Sequence, residues 1–129
     1  MRLLLDTHIW LWSLKETHLL GSRVLRELRS SENELWLSPI STWEALTLHE
    51  KKRIFLDPDV ERWVAISTAP FREAGLTHEV VAAARRLPLP QRDPADRFLA
   101  ATAFVLDLTL VTADAHLLGL GQIATLANR

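Results

Sequence analysis

The sequence predicts an α/β fold: a three-layer αβα sandwich around a mainly parallel central sheet. Three observations lead there. Short apolar runs recur without alternation, as strands do when both faces of a parallel sheet are covered. Helical patterns lie between them. The 129 residues contain no internal repeat, low-complexity tract or Gly/Ser linker, so residues 1–129 are expected to form one domain around its own core.

The elements follow in order. Residues 2–5, Arg-Leu-Leu-Leu, read as a short buried strand, and the apolar residues beyond Asp6 (Ile9-Trp-Leu-Trp12, then Leu14) read as a helix. Residues 35–37 and 108–111 repeat the strand signature. Helical patterns cover 20–29, 42–52, 60–67, 79–86 and 95–106. Strands alternating with helices imply right-handed crossovers in a parallel sheet. Leu87-Pro-Leu-Pro-Gln-Arg92 is a stiff connector, because its prolines end one helix before the next begins. The following helix, Phe98-Leu-Ala-Ala-Thr-Ala-Phe-Val, is apolar or small almost all round and is expected to pack on several neighbours.

Composition narrows the function. There are no cysteines, which excludes disulfides, thiolate zinc and cysteine nucleophiles, so any metal sits on oxygen or imidazole. Asp6 falls too early for a signal-peptide core, and no apolar run can span a bilayer; a cytoplasmic protein is expected. A net charge of -1 argues against holding nucleic acid by bulk charge. Local basic patches remain, at Lys51-Lys-Arg53 and at Arg85, Arg86, Arg92 and Arg97, each also explained as a solvated helix end. Of the five tryptophans, Trp10 and Trp12 either divide between core and surface or contact a partner.

Four acids stand at strand-to-helix turns or helix starts: Asp6 after the first strand, Glu44 in Ser38-Pro-Ile-Ser-Thr-Trp-Glu44, Asp96 in Arg92-Asp-Pro-Ala-Asp-Arg97, and Asp114 in Leu110-Val-Thr-Ala-Asp114. Each has a structural explanation. Ser41 and Glu44 fit a capping box, Asp93 and Asp96 a similar arrangement, and Asp6 and Asp114 fit helix caps. Jointly they point elsewhere, because the carboxyl ends of parallel strands form one edge, where ligands bind. Carboxylates gathered there raise one another's pKa unless a cation compensates. With oxygen donors alone, that cation is Mg²⁺ or Mn²⁺. His8 and His116, each two residues past an acid, are alternative ligands or proton carriers, and His49 does not complete a zinc-protease spacing.

At these residues the chain resembles the PIN-domain family and, within it, the VapC-type toxins of toxin-antitoxin pairs. Four passages carry the resemblance: Leu3-Leu-Leu-Asp-Thr-His8, Ile40-Ser-Thr-Trp-Glu44, Arg92-Asp-Pro-Ala-Asp-Arg-Phe-Leu-Ala-Ala-Thr-Ala103 and Leu108-Thr-Leu-Val-Thr-Ala-Asp114. The resemblance implies a metal-dependent ribonuclease acting on single-stranded RNA, a homodimer held inactive by a partner antitoxin. It implies that Asp6, Glu44, Asp96 and Asp114 form the acidic quartet. Asp6 and Asp96 then hold Mg²⁺ (or Mn²⁺), Asp114 completes the site, and Glu44 binds a second ion or orients water. Thr112 looks like the hydroxyl residue beside the last acid, and Arg92 and Arg97 become contacts to the RNA backbone. Asp107-Leu-Thr stands where a glycine is common in relatives, and Leu117-Leu118 where an aromatic is often seen. The competing expectations are a Mg²⁺-dependent phosphoryl-transfer domain, with Asp6 or Asp114 as acceptor, and a non-catalytic module whose acids are all caps.

Overall fold

In the computed structural model, which describes residues 1–90 and 93–129, the leucine run forms strand β1 (Arg2–Leu5), with Leu3, Leu4 and Leu5 completely buried. Successive strand side chains point to opposite faces. Accordingly Leu3 and Leu5 join one hydrophobic cluster and Leu4 another. Both faces of the strand are covered, which is why its sequence shows no polar alternation.

Four further strands pair in parallel around β1: β2 (Glu34–Leu37), β3 (Arg72–Glu73), β4 (Thr109–Thr112) and β5 (Ala124–Ala127), in the order β3-β2-β1-β4-β5. Leu3 lies in register with both Leu35 and Thr109. The order reverses at β1, so the switch point of the sheet falls between β1 and β4.

Helices form the outer layers of an αβα sandwich. On the face of Leu3 and Leu5 lie α1 (Thr7–Lys15), α2 (Ser22–Arg29) and α4 (Val60–Thr68), through Ile9, Trp10, Val24 and Trp63. On the face of Leu4 lie α5 (His78–Ala84), α6 (Pro94–Leu106) and the short α7 (Ala115–Leu118), through Val80, Leu99 and Leu117. Helix α3 (Pro39–Glu50) packs against both α1 and α6. Among the described residues no helix is long and apolar enough to cross a membrane.

Local chemistry sets the helix starts. Asp93 caps α6 by accepting from the Ala95 amide at 3.0 Å, with Pro94 in the first turn, as the sequence predicts. Helix α3 departs from expectation. It starts at Pro39, with the Ser38 hydroxyl accepting from the Ile40 amide at 3.1 Å, so Ser41 is an interior residue and not the cap. The capping-box reading of Ser41 and Glu44 is therefore replaced, which frees both side chains for other partners. Trp10 is also reassigned from a possible partner contact to the core: it is fully buried, its Nε1 donates to the Ser67 carbonyl at 3.2 Å, and its ring lies 5.3 Å from that of Trp63.

Candidate active site

The first carboxylate is placed by the end of β1. The Asp6 amide donates to the Val111 carbonyl at 3.0 Å, continuing the ladder between β1 and β4 for one residue beyond the strand. The Asp6 side chain accepts from the Thr7 amide at 2.8 Å through Oδ1, which caps α1, and from the Thr112 hydroxyl at 2.6 Å through Oδ2. Thr112 ends β4, is fully buried, and accepts from the Asp114 amide at 3.0 Å. One hydroxyl thus ties together the turns that carry Asp6 and Asp114. Asp114 in turn caps α7, accepting from the amides of His116 and Leu117 at 2.8 and 3.1 Å.

Glu44 arrives from the other side. Its Oε1 accepts from the hydroxyl of Thr7, which is buried and also within 2.9 Å of Ser41 Oγ. A hydroxyl has one proton, so Thr7 donates to the carboxylate and accepts from Ser41. Ser41 and Glu44 are three residues apart on α3 and share a face. Thr7 and Ser41 therefore form the support of Glu44, a role the sequence reading did not assign. Its visible signals are the position of Thr7 directly after Asp6 and the three-residue spacing of Ser41 and Glu44.

Asp6, Glu44, Asp96 and Asp114 line one cleft of about 350 Å³, together with His8, Trp12 and Asp93. Asp93, read from sequence as a cap, thus caps and lines the cleft at once. A carboxylate has two oxygens and several lone-pair sites, so a cap bond does not exhaust it. Asp93, Asp96 and Asp114 also line an adjoining hollow of about 320 Å³ with His116. Among the described residues no lysine or arginine pairs with any of the five acids.

The electrostatic consequence is a set of carboxyl groups that resist ionisation. Burial pushes Asp6 and Glu44 above their ordinary values, against the hydrogen bonds from Thr112, Thr7 and its amide. Asp96 is pushed up to about 7, first by burial and then by the charges of Asp93, Asp6, Asp114 and Glu44. These shifts share a physical cause: burial together with negative charge concentrated in one cleft, which His8 offsets only in part at Asp6 and Glu44.

Two expected substrate contacts change role. The Arg97 guanidinium is committed to the loop between α5 and α6, donating to the carbonyls of Ala84, Leu87 and Leu89 at 2.6, 3.1 and 2.6 Å. It anchors that loop and is not directed to a phosphate. Thr112, buried and bonded at both ends, positions the acids and is not a contact for substrate. Arg92 lies outside the described residues. His49 is likewise structural, its Nδ1 accepting from the Leu56 amide at 3.3 Å.

The profile of the PIN domain family matches residues 3–121, a span that includes all four acids of the expected quartet. This chain belongs to the PIN domain family. It is 35% identical over 115 residues to Ribonuclease VapC22 of Mycobacterium tuberculosis, covering 88% of each chain. Solved PIN-like folds similar to it include VapBC2 from Rickettsia felis bound to a DNA fragment from its promoter, at a TM-score of 0.73 and 15% identity over all of both chains. The DNA-bound VapBC from Salmonella typhimurium superimposes at a TM-score of 0.71, with 16% identity and 98% of each chain covered. FitAcB from Neisseria gonorrhoeae follows at 0.68 and 23%, over 95% of each chain. In this PIN domain the acids occupy the switch point that such parallel sheets reserve for ligands.

PIN folds imply a divalent ion, and the donor set fits one. Among the described residues no three of these groups already stand as a ready-made metal cage. Mg²⁺ does not require that, because it keeps several waters and uses one or two carboxylates together with substrate phosphates. Carboxylates predominate in the cleft, with His8 and His116 as the imidazoles at its margins, and a donor set rich in carboxylate oxygens with no thiolate matches a hard cation.

Proposed function

We propose that this PIN domain is a divalent-metal-dependent endoribonuclease that cuts single-stranded regions of RNA and acts as the toxin of a toxin-antitoxin pair. The observation that carries the reading is the cleft of Asp6, Glu44, Asp96 and Asp114, whose negative charge no lysine or arginine of the described chain offsets. The likeness to a ribonuclease supports the reaction, and the likeness to toxin-antitoxin complexes supports a protein partner. Asp6 and Asp96 are the assigned ligands of Mg²⁺ or Mn²⁺, with Asp114 completing the site. The ion, when bound, supplies Lewis acidity to the scissile phosphate and lowers the pKa of a bound water. The protein's own part is positional: Thr112 fixes Asp6 and the Asp114 turn, Thr7 and Ser41 hold Glu44, and Glu44 orients the attacking water. We further assign a cytoplasmic location, a homodimeric state and inhibition by a cognate antitoxin.

A phosphoryl-transfer reading is disfavoured, because the chain has no lysine after Lys52 to partner an aspartyl phosphate. The deciding experiment is digestion of RNA in Mg²⁺ or Mn²⁺ by wild type and by Asp96→Asn. Cleavage by wild type alone is expected. Equal cleavage by both proteins, or by neither, overturns the assignment.

A further inference from the structure

The acid cleft does not end at the acids. His8 and Trp12 line both the cleft and a second cavity of about 120 Å³, which is walled mainly by apolar side chains such as Leu11, Leu14 and Leu48 and edged by Lys15 and Glu16. Ile54 and Phe55 in turn line both that cavity and a third hollow of about 590 Å³, where they meet Glu50, Lys52 and Arg53. Shared lining residues thus link the three spaces in series, from the acids to the segment after α3. Charge changes sign along it. The cleft end carries five carboxylates beside His8, whereas the far end carries the Lys51-Lys-Arg53 run, exposed throughout and exceeding the single Glu50 beside it.

Phe55 is the most exposed large apolar residue at this end, 68% accessible, and it is held in place rather than loose. The His49 ring packs 5.9 Å from it, and His49 Nδ1 fixes the Leu56 amide next along the chain. Lys52 adopts a left-handed backbone, φ 58°, which turns the chain back after the helix so that the Lys51-Lys-Arg53 run and Phe55 occupy one surface. An exposed aromatic set among cations, sharing the lining of one cavity with Trp12, is the chemistry that binds single-stranded nucleic acid: cations follow the phosphates and aromatic faces accept unstacked bases. A solvated helix end explains the lysines but leaves unexplained a fixed and exposed Phe55.

We propose that this track is the path of the RNA strand, with Lys15, Lys52 and Arg53 contacting phosphates beyond the cleavage point and Phe55 stacking on a base. The proposal rests on the ribonuclease reading and extends it to where the substrate lies. It also places cations that draw in a polyanion away from the acids, with which no lysine or arginine among the described residues pairs.

The test measures binding, not turnover: fluorescence anisotropy of a labelled single-stranded RNA of mixed sequence, in EDTA, over a series of salt concentrations. Lys15→Gln, Lys52→Asn and Arg53→Gln are combined, asparagine being chosen because it tolerates the left-handed backbone. The combined variant is expected to bind at least about tenfold more weakly. Its slope of log K against log salt should fall by about 2, since each single-strand phosphate contact contributes about 0.7. Phe55→Ala should weaken binding several-fold with the slope unchanged, because stacking releases no counterions. The control removes the same charge elsewhere, as Arg23→Gln, Arg26→Gln and Arg29→Gln on exposed positions of α2, and should leave both affinity and slope near wild type.

The proposal is overturned if the control lowers the slope as much as the track variant, or if the track variant and Phe55→Ala bind RNA as wild type does. It is equally overturned if these substitutions weaken only a protein partner and not RNA, which makes the track a protein-docking groove. Wild type that cleaves RNA while the variants bind it normally removes the track alone, whereas wild type that cleaves no RNA removes the ribonuclease reading together with it.

Discussion

The two ends of the same parallel sheet treat charge in opposite ways. At the amino end Glu34 lies between Arg2 and Arg72, at 3.4 and 3.8 Å, and both guanidinium groups sit over the Trp36 ring, at 5.3 and 5.9 Å. The Glu34 carboxyl is held below its ordinary value, chiefly by the hydrogen bond from the Trp36 indole at 3.2 Å. At the carboxyl end the acids are held above theirs, Asp96 as far as about 7. The residue types are alike and the strands are shared, so the difference lies in where the positive charge comes from. One end contains its own cations and is complete. At the other, no lysine or arginine among the described residues pairs with the acids.

The largest expected effect separates the ends by activity. Asp6→Asn removes an assigned ligand and should reduce metal-dependent RNA cleavage by more than about 100-fold, beyond the 10- to 100-fold typical of residues one step removed from a metal. Glu34→Gln, the same change at the exposed end, should leave cleavage within about twofold of wild type, because surface ion pairs contribute little. Parallel cleavage assays with circular-dichroism melts check both. Comparable losses in the two variants would mean that the ends are not distinct.

Next in size is Thr112→Val. Asp6 would lose the hydroxyl that favours its ionised form and would remain buried, so its carboxyl should rise further. Mn²⁺ affinity measured by titration calorimetry should then drop about 10- to 100-fold. Thr112→Ser, which keeps the hydroxyl, should restore most of it. Failure of serine to restore affinity would assign the residue to packing alone.

Of this contrast the acid side can be read from the sequence and the arginine-balanced side cannot, and the reasons are specific. Asp6 and Asp114 are visible because each lies within two residues of the end of a strand, and topology then brings them together without any further side-chain information. Arg97 was misread because its partners are the main-chain carbonyls of Ala84, Leu87 and Leu89, groups left unpaired where α5 ends and the proline loop begins, and side-chain patterns do not reveal such acceptors. Ser41 was misread because Ser-x-x-Glu imitates a capping box, while Pro39, a residue suited to the first helical position, marks the true start one turn earlier. Strand β3, with two exposed charged residues, and the four-residue α7 are too short to show a period at all.

A smaller effect appears in stability against pH. Without metal, the folded protein holds a proton on Asp96 up to about pH 7, whereas the unfolded chain releases it near the ordinary value of 3.8. The native state therefore binds more protons across this window, and stability should be greatest below about 4 and decline as pH rises toward 7. Glu34 acts in the opposite sense: its lowered carboxyl favours the fold above the ordinary value of 4.5, and that contribution fades as pH falls through its folded value. Thermal melts in EDTA should show the decline, Mg²⁺ should suppress it, and Asp96→Asn should reduce it, leaving the part that Asp6 and Glu44 contribute. A decline that persists undiminished in Asp96→Asn would place its origin in other groups, first of all the raised carboxyls of Asp6 and Glu44.

The smallest expected effect tests whether the two ends are independent. Asp107 closes α6 in the left-handed region, φ 54° and ψ 52°, and its amide bonds back to the Ala103 carbonyl. The Arg2 guanidinium crosses from the amino end of the sheet to the carbonyls of Leu106 and Asp107, at 3.0 and 3.5 Å. Aspartate tolerates this backbone better than most residues, but its Cβ still carries part of the roughly 1–2 kcal/mol penalty for a left-handed conformation. Glycine removes that penalty and adds disorder to the unfolded chain, which offsets part of the gain. Asp107→Gly should accordingly stabilise the fold by about 0.5 kcal/mol in urea denaturation, because the bonds it shares with Arg2 and Ala103 are main-chain bonds that glycine retains. Metal affinity and cleavage should not change, since α6 presents Asp96 from its first turn and Asp107 closes the far end of the same helix. A change in either would show that the helix transmits strain from the charge-balanced end of the sheet to the charge-deficient one.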